Sequence, residues 1–275
     1  MIVLTGFGDE ISPDLGEQME VMGSEDVKFI ELRGVDNKNV MELTQAECEE
    51  VKRKLDGSGF GISAIGSPIG KVKIDDDFDK HMDDFKHALD LAKFFETKHI
   101  RLFTYYPPEG EDINVHRDEV MRRMKLKTDL AEKADVVLLS ENESNLFGES
   151  PENCADVIET VNSPYLKGIF DPANFILKGY KPFDRCWPLL KKHTVYFHIK
   201  DAKVGPGGGM VVAGQGDGQI PEVLGDAVAS GFEGFTSLEP HLSKGGQFAG
   251  FTGPGLFKDA IRALKKVLDD VGAKY

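Results

Sequence analysis

Cysteine is scarce in this chain. Only Cys48, Cys154 and Cys186 occur, an odd number with no C-x-x-C pair. That excludes a disulfide framework or a cysteine-built zinc site as the basis of the fold, and it fits a reducing compartment. Long apolar runs are also lacking. The chain opens Met1-Ile2-Val3-Leu4-Thr5, with no basic segment ahead of the apolar residues. Neither a signal peptide nor a transmembrane helix is expected, and the expected location is cytoplasmic, without a membrane partner. Positive charge is in short supply: 33 Lys and Arg face 47 Asp and Glu, a net charge of −14. Nucleic-acid binding is driven by neutralising phosphates, so this balance argues against a nucleic-acid partner.

What the chain does have is length and alternation. Its 275 residues suit one α/β barrel, which takes about 250 residues. Short apolar runs read as strands at Ile2–Thr5, Phe29–Leu32, Ile62–Ile65, His99–Phe103, Val136–Ser140, Leu166–Phe170, Val195–His198 and Phe235–Leu238. Amphipathic segments separate them. One starts near Pro13; Thr44 with Glu47 forms a capping box for the next. Asp77–Phe95 repeats apolar residues at three- and four-residue spacing, another helix ends near Ala134, and Ser150-Pro151 reads as N-cap and N1. Pro221 opens a further helix after a glycine-rich loop, Val204–Gly218, and Phe257–Val271 closes the chain. Eight strand–helix units with no composition shift predict an α/β fold, a single (β/α)8 TIM barrel, as one domain spanning 1–275.

In such a barrel the functional side chains sit at the C-terminal ends of strands. The fifth strand ends in Ser140-Glu141-Asn142-Glu143, the sixth in Phe170-Asp171-Pro172-Ala173-Asn174, the seventh in His198-Ile199-Lys200-Asp201 and the eighth in Leu238-Glu239-Pro240-His241. Four successive strands therefore deliver carboxylates and an imidazole to one rim. Crowded like charges in a low-dielectric setting call for a neutralising cation. Three carboxylates and one imidazole form a hard ligand set, better suited to Mn²⁺, Mg²⁺ or Co²⁺ than to a structural Zn²⁺. Each residue taken singly has a plainer role, as a cap, a turn former or a core histidine; their joint placement carries the argument.

The stretches LLSENES, FDPANF, FHIKDA, AGQGDG and SLEPHL, in this order and spacing, resemble the sugar phosphate isomerase/epimerase family, also described as xylose isomerase-like TIM barrels. The resemblance covers nearly the whole chain. It implies one divalent metal ion, Mn²⁺ first with Mg²⁺, Co²⁺ or Zn²⁺ as alternatives, held by Glu141, Asp171, His198 and Glu239. It also implies that Glu141 and Glu239 double as the acid/base pair of an isomerase or epimerase working through an enediolate. Glu143, two residues beyond Glu141 and on the same side of the strand, falls outside the ligand pattern. The chain departs from the ketose 3-epimerases in having Asn174 where they carry a substrate-contacting His.

Glu31, Asn174, Lys200 and His241 are the expected substrate-binding residues for a small-molecule carbohydrate, with Arg33, Ser67 and Asp201 as further rim candidates. A lyase or dehydratase of the inosose or keto-glycoside type is the alternative, because it shares the first proton abstraction. An endonuclease IV-like repair enzyme needs a histidine-rich three-zinc cluster, which the seven histidines of this acidic chain do not provide. A catalytically silent binding module would require the metal site to be empty or purely structural. The uncharged stretch from Phe248 to Phe257 is expected to close over the site or to meet a second subunit in a homodimer, and Ser243-Lys244-Gly245-Gly246 reads as a glycine turn.

Overall fold

The computed structural model describes residues 1–243 and 250–275. Its eight central strands are β1 (Ile2–Gly6), β2 (Phe29–Leu32), β3 (Gly61–Ile65), β4 (His99–Leu102), β5 (Val137–Glu141), β6 (Leu166–Phe170), β7 (Thr194–Ile199) and β8 (Gly234–Leu238). All neighbours in this sheet pair in parallel, in the order β1, β8, β7, β6, β5, β4, β3, β2. β1 and β2 end the ladder and lie against each other, so the sheet is a nearly closed (β/α)8 barrel. The helices are α1 (Leu15–Gly23), α2 (Gln45–Gly57), α3 (Phe78–Phe94), α4 (Arg117–Ala134), α5 (Pro151–Val161), α6 (Pro172–Ile176), α7 (Trp187–Leu190), α8 (Ile220–Ala229) and α9 (Pro254–Asp270).

Local chemistry sets the helix starts. Asp14, Thr44, Asp77 and Ser150 each accept a hydrogen bond from a backbone N–H of the first turn, which satisfies donors that a helix otherwise leaves open. The helix expected from Pro13 therefore begins after Asp14. The glycine-rich loop holds more order than its composition suggests, since Asp201–Lys203 pairs antiparallel with Gly209–Val211. The last helix starts at Pro254, so part of the uncharged stretch is helical. Phe248 and Ala249, and Lys244 to Gly246 of the expected turn, lie outside the described residues. Among the described residues no helix is long and apolar enough to cross a membrane.

Two packing regions follow from the alternation of strand side chains. Outward residues such as Ile30, Leu138, Phe170 and Phe197 join helix residues such as Phe85, Met124 and Leu264 in the large outer core. Inward residues Ala64, Leu139, Ile169 and Tyr196 fill the barrel axis. That inner layer also carries a polar chain: Thr5 Oγ1 to Ser63 Oγ at 2.8 Å, Ser63 Oγ to Tyr196 OH at 3.0 Å, and Tyr196 OH donating to Glu31 Oε2 at 2.9 Å. The chain climbs towards the C-terminal ends of the strands, where the polar residues gather.

Candidate metal centre

Glu141 is the last residue of β5, and Asp171 directly follows β6. His198 lies one residue before the end of β7, and Glu239 directly follows β8. Each offers one ligand atom, and these atoms all lie within 4.8 Å of one another. All four side chains are buried. His198 Nδ1 faces Glu141 Oε1 at 2.9 Å and Glu239 Oε2 at 3.7 Å, while Nε2 faces both oxygens of Glu31 at 3.1 and 3.2 Å. One ring nitrogen therefore points into the cluster, and the other is held from behind.

Asp171 is committed on one side only. Its Oδ1 caps α6 by accepting from Asn174 N at 3.0 Å. Among the described residues Oδ2 is buried without a hydrogen bond, although Lys200 Nζ stands 2.9 Å away. Lys200 Nζ also donates to Glu239 Oε2 at 3.1 Å. A buried oxygen lacking a hydrogen bond, in a hard set of three carboxylates and an imidazole, fits a divalent cation.

Burial favours the neutral form of every group here, and neighbouring charges decide the outcome. Burial works against an ionised Glu141, but His198 and Arg101 overcome it and hold the carboxyl at about 2. Burial likewise opposes ionised Glu239, and Lys200 and His241 pull it well below the usual carboxylate range. Asp171 goes the other way: burial, aided by the Glu141 and Glu239 charges, outweighs Lys200 and raises it to about 6. Burial disfavours charged His198, yet Glu141 and Glu31 lift it to about 10. The imidazole and the Lys200 ammonium thus stand among three carboxylates.

The family model of xylose isomerase-like TIM barrels matches residues 23–267. The chain belongs to this family. A search of curated proteins finds no match. Solved structures share the fold at low identity. A probable 3-DHS dehydratase AsbF involved in petrobactin synthesis, from Bacillus anthracis, is 19% identical, with TM-score 0.76 over 96% of this chain and 99% of that one. A xylose isomerase-like TIM barrel protein from Mycobacterium smegmatis, in complex with magnesium, is 16% identical, with TM-score 0.75 over 99% and 97%. A D-tagatose 3-epimerase-like protein is 15% identical, with TM-score 0.76 over 98% of each chain.

In this xylose isomerase-like barrel the remaining candidate residues take distinct places. Glu31 is fully buried behind the imidazole, not on the open rim. A register irregularity between Ile30 and Glu31 precedes it and sets the side it faces. Asn174 is mostly engaged in a brace: its Nδ2 donates to Asn142 O at 2.9 Å, while Asn142 Nδ2 donates to Asp171 O and Asp171 N donates to Asn142 Oδ1. His241 is 22% exposed and stands 3.4 Å from Glu239 Oε1 and 3.2 Å from Glu10 Oε1. Burial opposes its charged form, but Glu10 and Glu239 raise it to about 9. A Cβ at residue 250 would fall 2.1 Å from His241 Nε2, so Gly250 is what lets the loop pass there.

Ser67 donates to Arg101 O within the wall. Asp201 faces the glycine-rich loop, accepting from the N–H groups of Ala202, Gly214, Gly216 and Gly218. Glu143 pairs with Lys71 at 2.9 Å on the half-buried rim. Arg33 bonds Asp9 at 2.8 Å and Glu239 Oε1 at 2.9 Å, and Arg101 Nη1 bonds Glu141 Oε2 at 3.3 Å. Each glutamate thus turns one oxygen to the cluster and gives the other to an arginine. Arg101, Asn142, Tyr196 and the Asp9–Glu10 pair were not expected from the sequence. Arg101 had a signal, a charge inside the apolar run HIRLF, which a buried strand tolerates only with a partner.

Proposed function

We propose that this protein is a divalent-metal-dependent isomerase or epimerase of a small sugar or polyhydroxy carbonyl compound. The observation that supports it most is the pair of glutamates on β5 and β8, each anchored to an arginine through one oxygen and turned to the shared centre through the other. Glu141, Asp171, His198 and Glu239 would hold the ion, Mn²⁺ by preference, with Mg²⁺, Co²⁺ or Zn²⁺ as alternatives. Bound there, the ion would polarise a carbonyl and acidify the neighbouring C–H.

The chain's own residues do the rest. One glutamate takes and keeps the α proton, and the other delivers to the enediolate of the substrate a different proton, drawn from solvent through His241 beside Glu239. Arg33 and Arg101 keep the two carboxylates ionised and aimed. His241 sits between Glu239 and the rim, placed to exchange the proton with solvent. Lys200 donates to a substrate hydroxyl or to the developing enolate oxygen. Glu31 and Asn174, expected at the substrate, act instead through His198 and Asp171. In this proposal residues 1–275 are one cytoplasmic domain that takes a small-molecule carbohydrate, with no nucleic acid or membrane partner, and that pairs as a homodimer.

Lys200 also favours a second reading, a lyase or dehydratase. Charged and buried between Asp171 and Glu239, it would protonate a departing β-oxygen after the same first step. Turnover of ketoses, inososes and 3-keto-glycosides with Mn²⁺ in D₂O tests both. Deuterium washed into the α position and an unchanged formula support the isomerase; loss of water or of a glycosyl group supports the lyase. Turnover without any label, with Glu239→Gln at the wild-type rate, overturns proton abstraction by this pair.

A further inference from the structure

A second polar cluster lies between α3 and α4. His81 of α3, Arg123 and Lys127 of α4, and Tyr105 after β4 pack around one aromatic ring. The His81 ring centroid is 5.7 Å from that of Tyr105, Arg123 Cζ is 5.4 Å from it and Lys127 Nζ is 4.5 Å from it. All four side chains are buried, Lys127 and Tyr105 completely. Among the described residues, His81 Nε2, Tyr105 OH, Arg123 Nη1 and Lys127 Nζ have no hydrogen-bond partner.

The charges do not balance either. Glu119 is the carboxylate bonded here, and it is shared by Arg122 and Arg123. Arg122 and Arg123 thus share one carboxylate, and Lys127 has none among the described residues. The face of the Tyr105 ring offsets part of the ammonium charge, but it satisfies no N–H. Burial, with the Arg123 charge beside it, pushes Lys127 down to about 7. Burial, with the Lys127 and Arg123 charges, pushes His81 down to about 3, so its ring is neutral. The buried N–H groups of Lys127 and Arg123 without acceptors, beside a Tyr105 hydroxyl that can donate, are what an anion requires. Water could accept from two of them and would leave the charge uncancelled.

We propose that His81, Tyr105, Arg123 and Lys127 form a buried site for a small monovalent anion, a halide such as chloride. A halide accepts from several directions without needing a donor partner of its own, and its one charge offsets the Lys127 ammonium. The site ties α3 and α4 to the loop after β4, so its occupancy is a stability effect independent of the chemistry at the barrel mouth.

The test is thermal unfolding of the full chain in sodium gluconate, with chloride or bromide substituted at constant ionic strength. The wild type should rise with halide and saturate, gaining roughly 5 °C or more at a hundredfold excess over Kd. Lys127→Met, or Tyr105→Phe if that variant fails to fold, should lose the halide dependence. Crystals of the wild type soaked in bromide should give an anomalous peak within hydrogen-bond range of Lys127 Nζ. Equal midpoints in halide and gluconate, or a peak absent where Nζ is well ordered, would overturn the proposal.

Discussion

Replacing Glu31 by Gln separates two roles for a residue that is fully buried yet near the site. Its carboxylate bonds His198 Nε2 at 3.1 Å and accepts from Tyr196 OH at 2.9 Å. A metal-ligating histidine needs its second nitrogen to donate, and a carboxylate partner fixes that tautomer and strengthens the ligand. Gln keeps the size and removes the charge. Two opposing effects follow. Losing Glu31 lowers the proton affinity of His198, which eases competition for Nδ1; it also weakens the field felt by the ion. A divalent ion carries twice the charge of a proton, so the loss dominates. Unit charges at this separation interact by about 5 kcal/mol at an effective dielectric of 20, of which a neutral ligated imidazole feels only part. The expected loss is about 10- to 100-fold in metal affinity, or about 1.4–2.8 kcal/mol. Titration calorimetry with Mn²⁺ at pH 8 measures it, and Tyr196→Phe, which keeps the charge, should lose less. Affinity within threefold of wild type, with only KM raised, would refute the reasoning and return Glu31 to the substrate.

Other expectations follow from the same geometry. His198 is held protonated up to about 10 in the metal-free state, and an ion at Nδ1 displaces that proton. Affinity should therefore climb about tenfold per pH unit between about pH 6 and 9, and fall more steeply below the raised Asp171 value of about 6; a flat profile would contradict this. Asn142→Ala leaves Asp171 N and O without their bracing partners and should cost about 1–3 kcal/mol per unpaired group in denaturant unfolding; a cost under about 0.5 kcal/mol would remove the brace from the account. Asp201→Ala strips an acceptor from four backbone N–H groups and should speed proteolysis within 204–218, with Asp201→Asn intermediate; an unchanged digest would show the loop holds itself.

The barrel was legible because each strand is an apolar run ended by a polar residue, and because Thr44, Asp77 and Ser150 announce their helices by capping chemistry. The hairpins Gly34–Val35 with Lys38–Asn39 and Asp201–Lys203 with Gly209–Val211 were not legible. Strands of two or three residues show no periodicity, and glycine composition reads as loop. The strand ends alone placed carboxylates and an imidazole on one rim, and the family resemblance picked Glu141, Asp171, His198 and Glu239 out of them. The supporting groups were not legible. Glu31 depends on a register irregularity that no local pattern encodes, and Asn142 stands between two glutamates that mask it. The glutamate partners of Arg101 and Arg33 lie 40 and 206 residues away, beyond any local reading.

The most direct measurement is metal content per chain. Purified protein dialysed against Mn²⁺ and then metal-free buffer should retain about one ion per chain by elemental analysis, while Asp171→Ala and His198→Ala, folded by circular dichroism, should retain almost none. Wild-type protein that retains no metal and shows no thermal shift with Mn²⁺, Mg²⁺, Co²⁺ or Zn²⁺ would contradict the assignment.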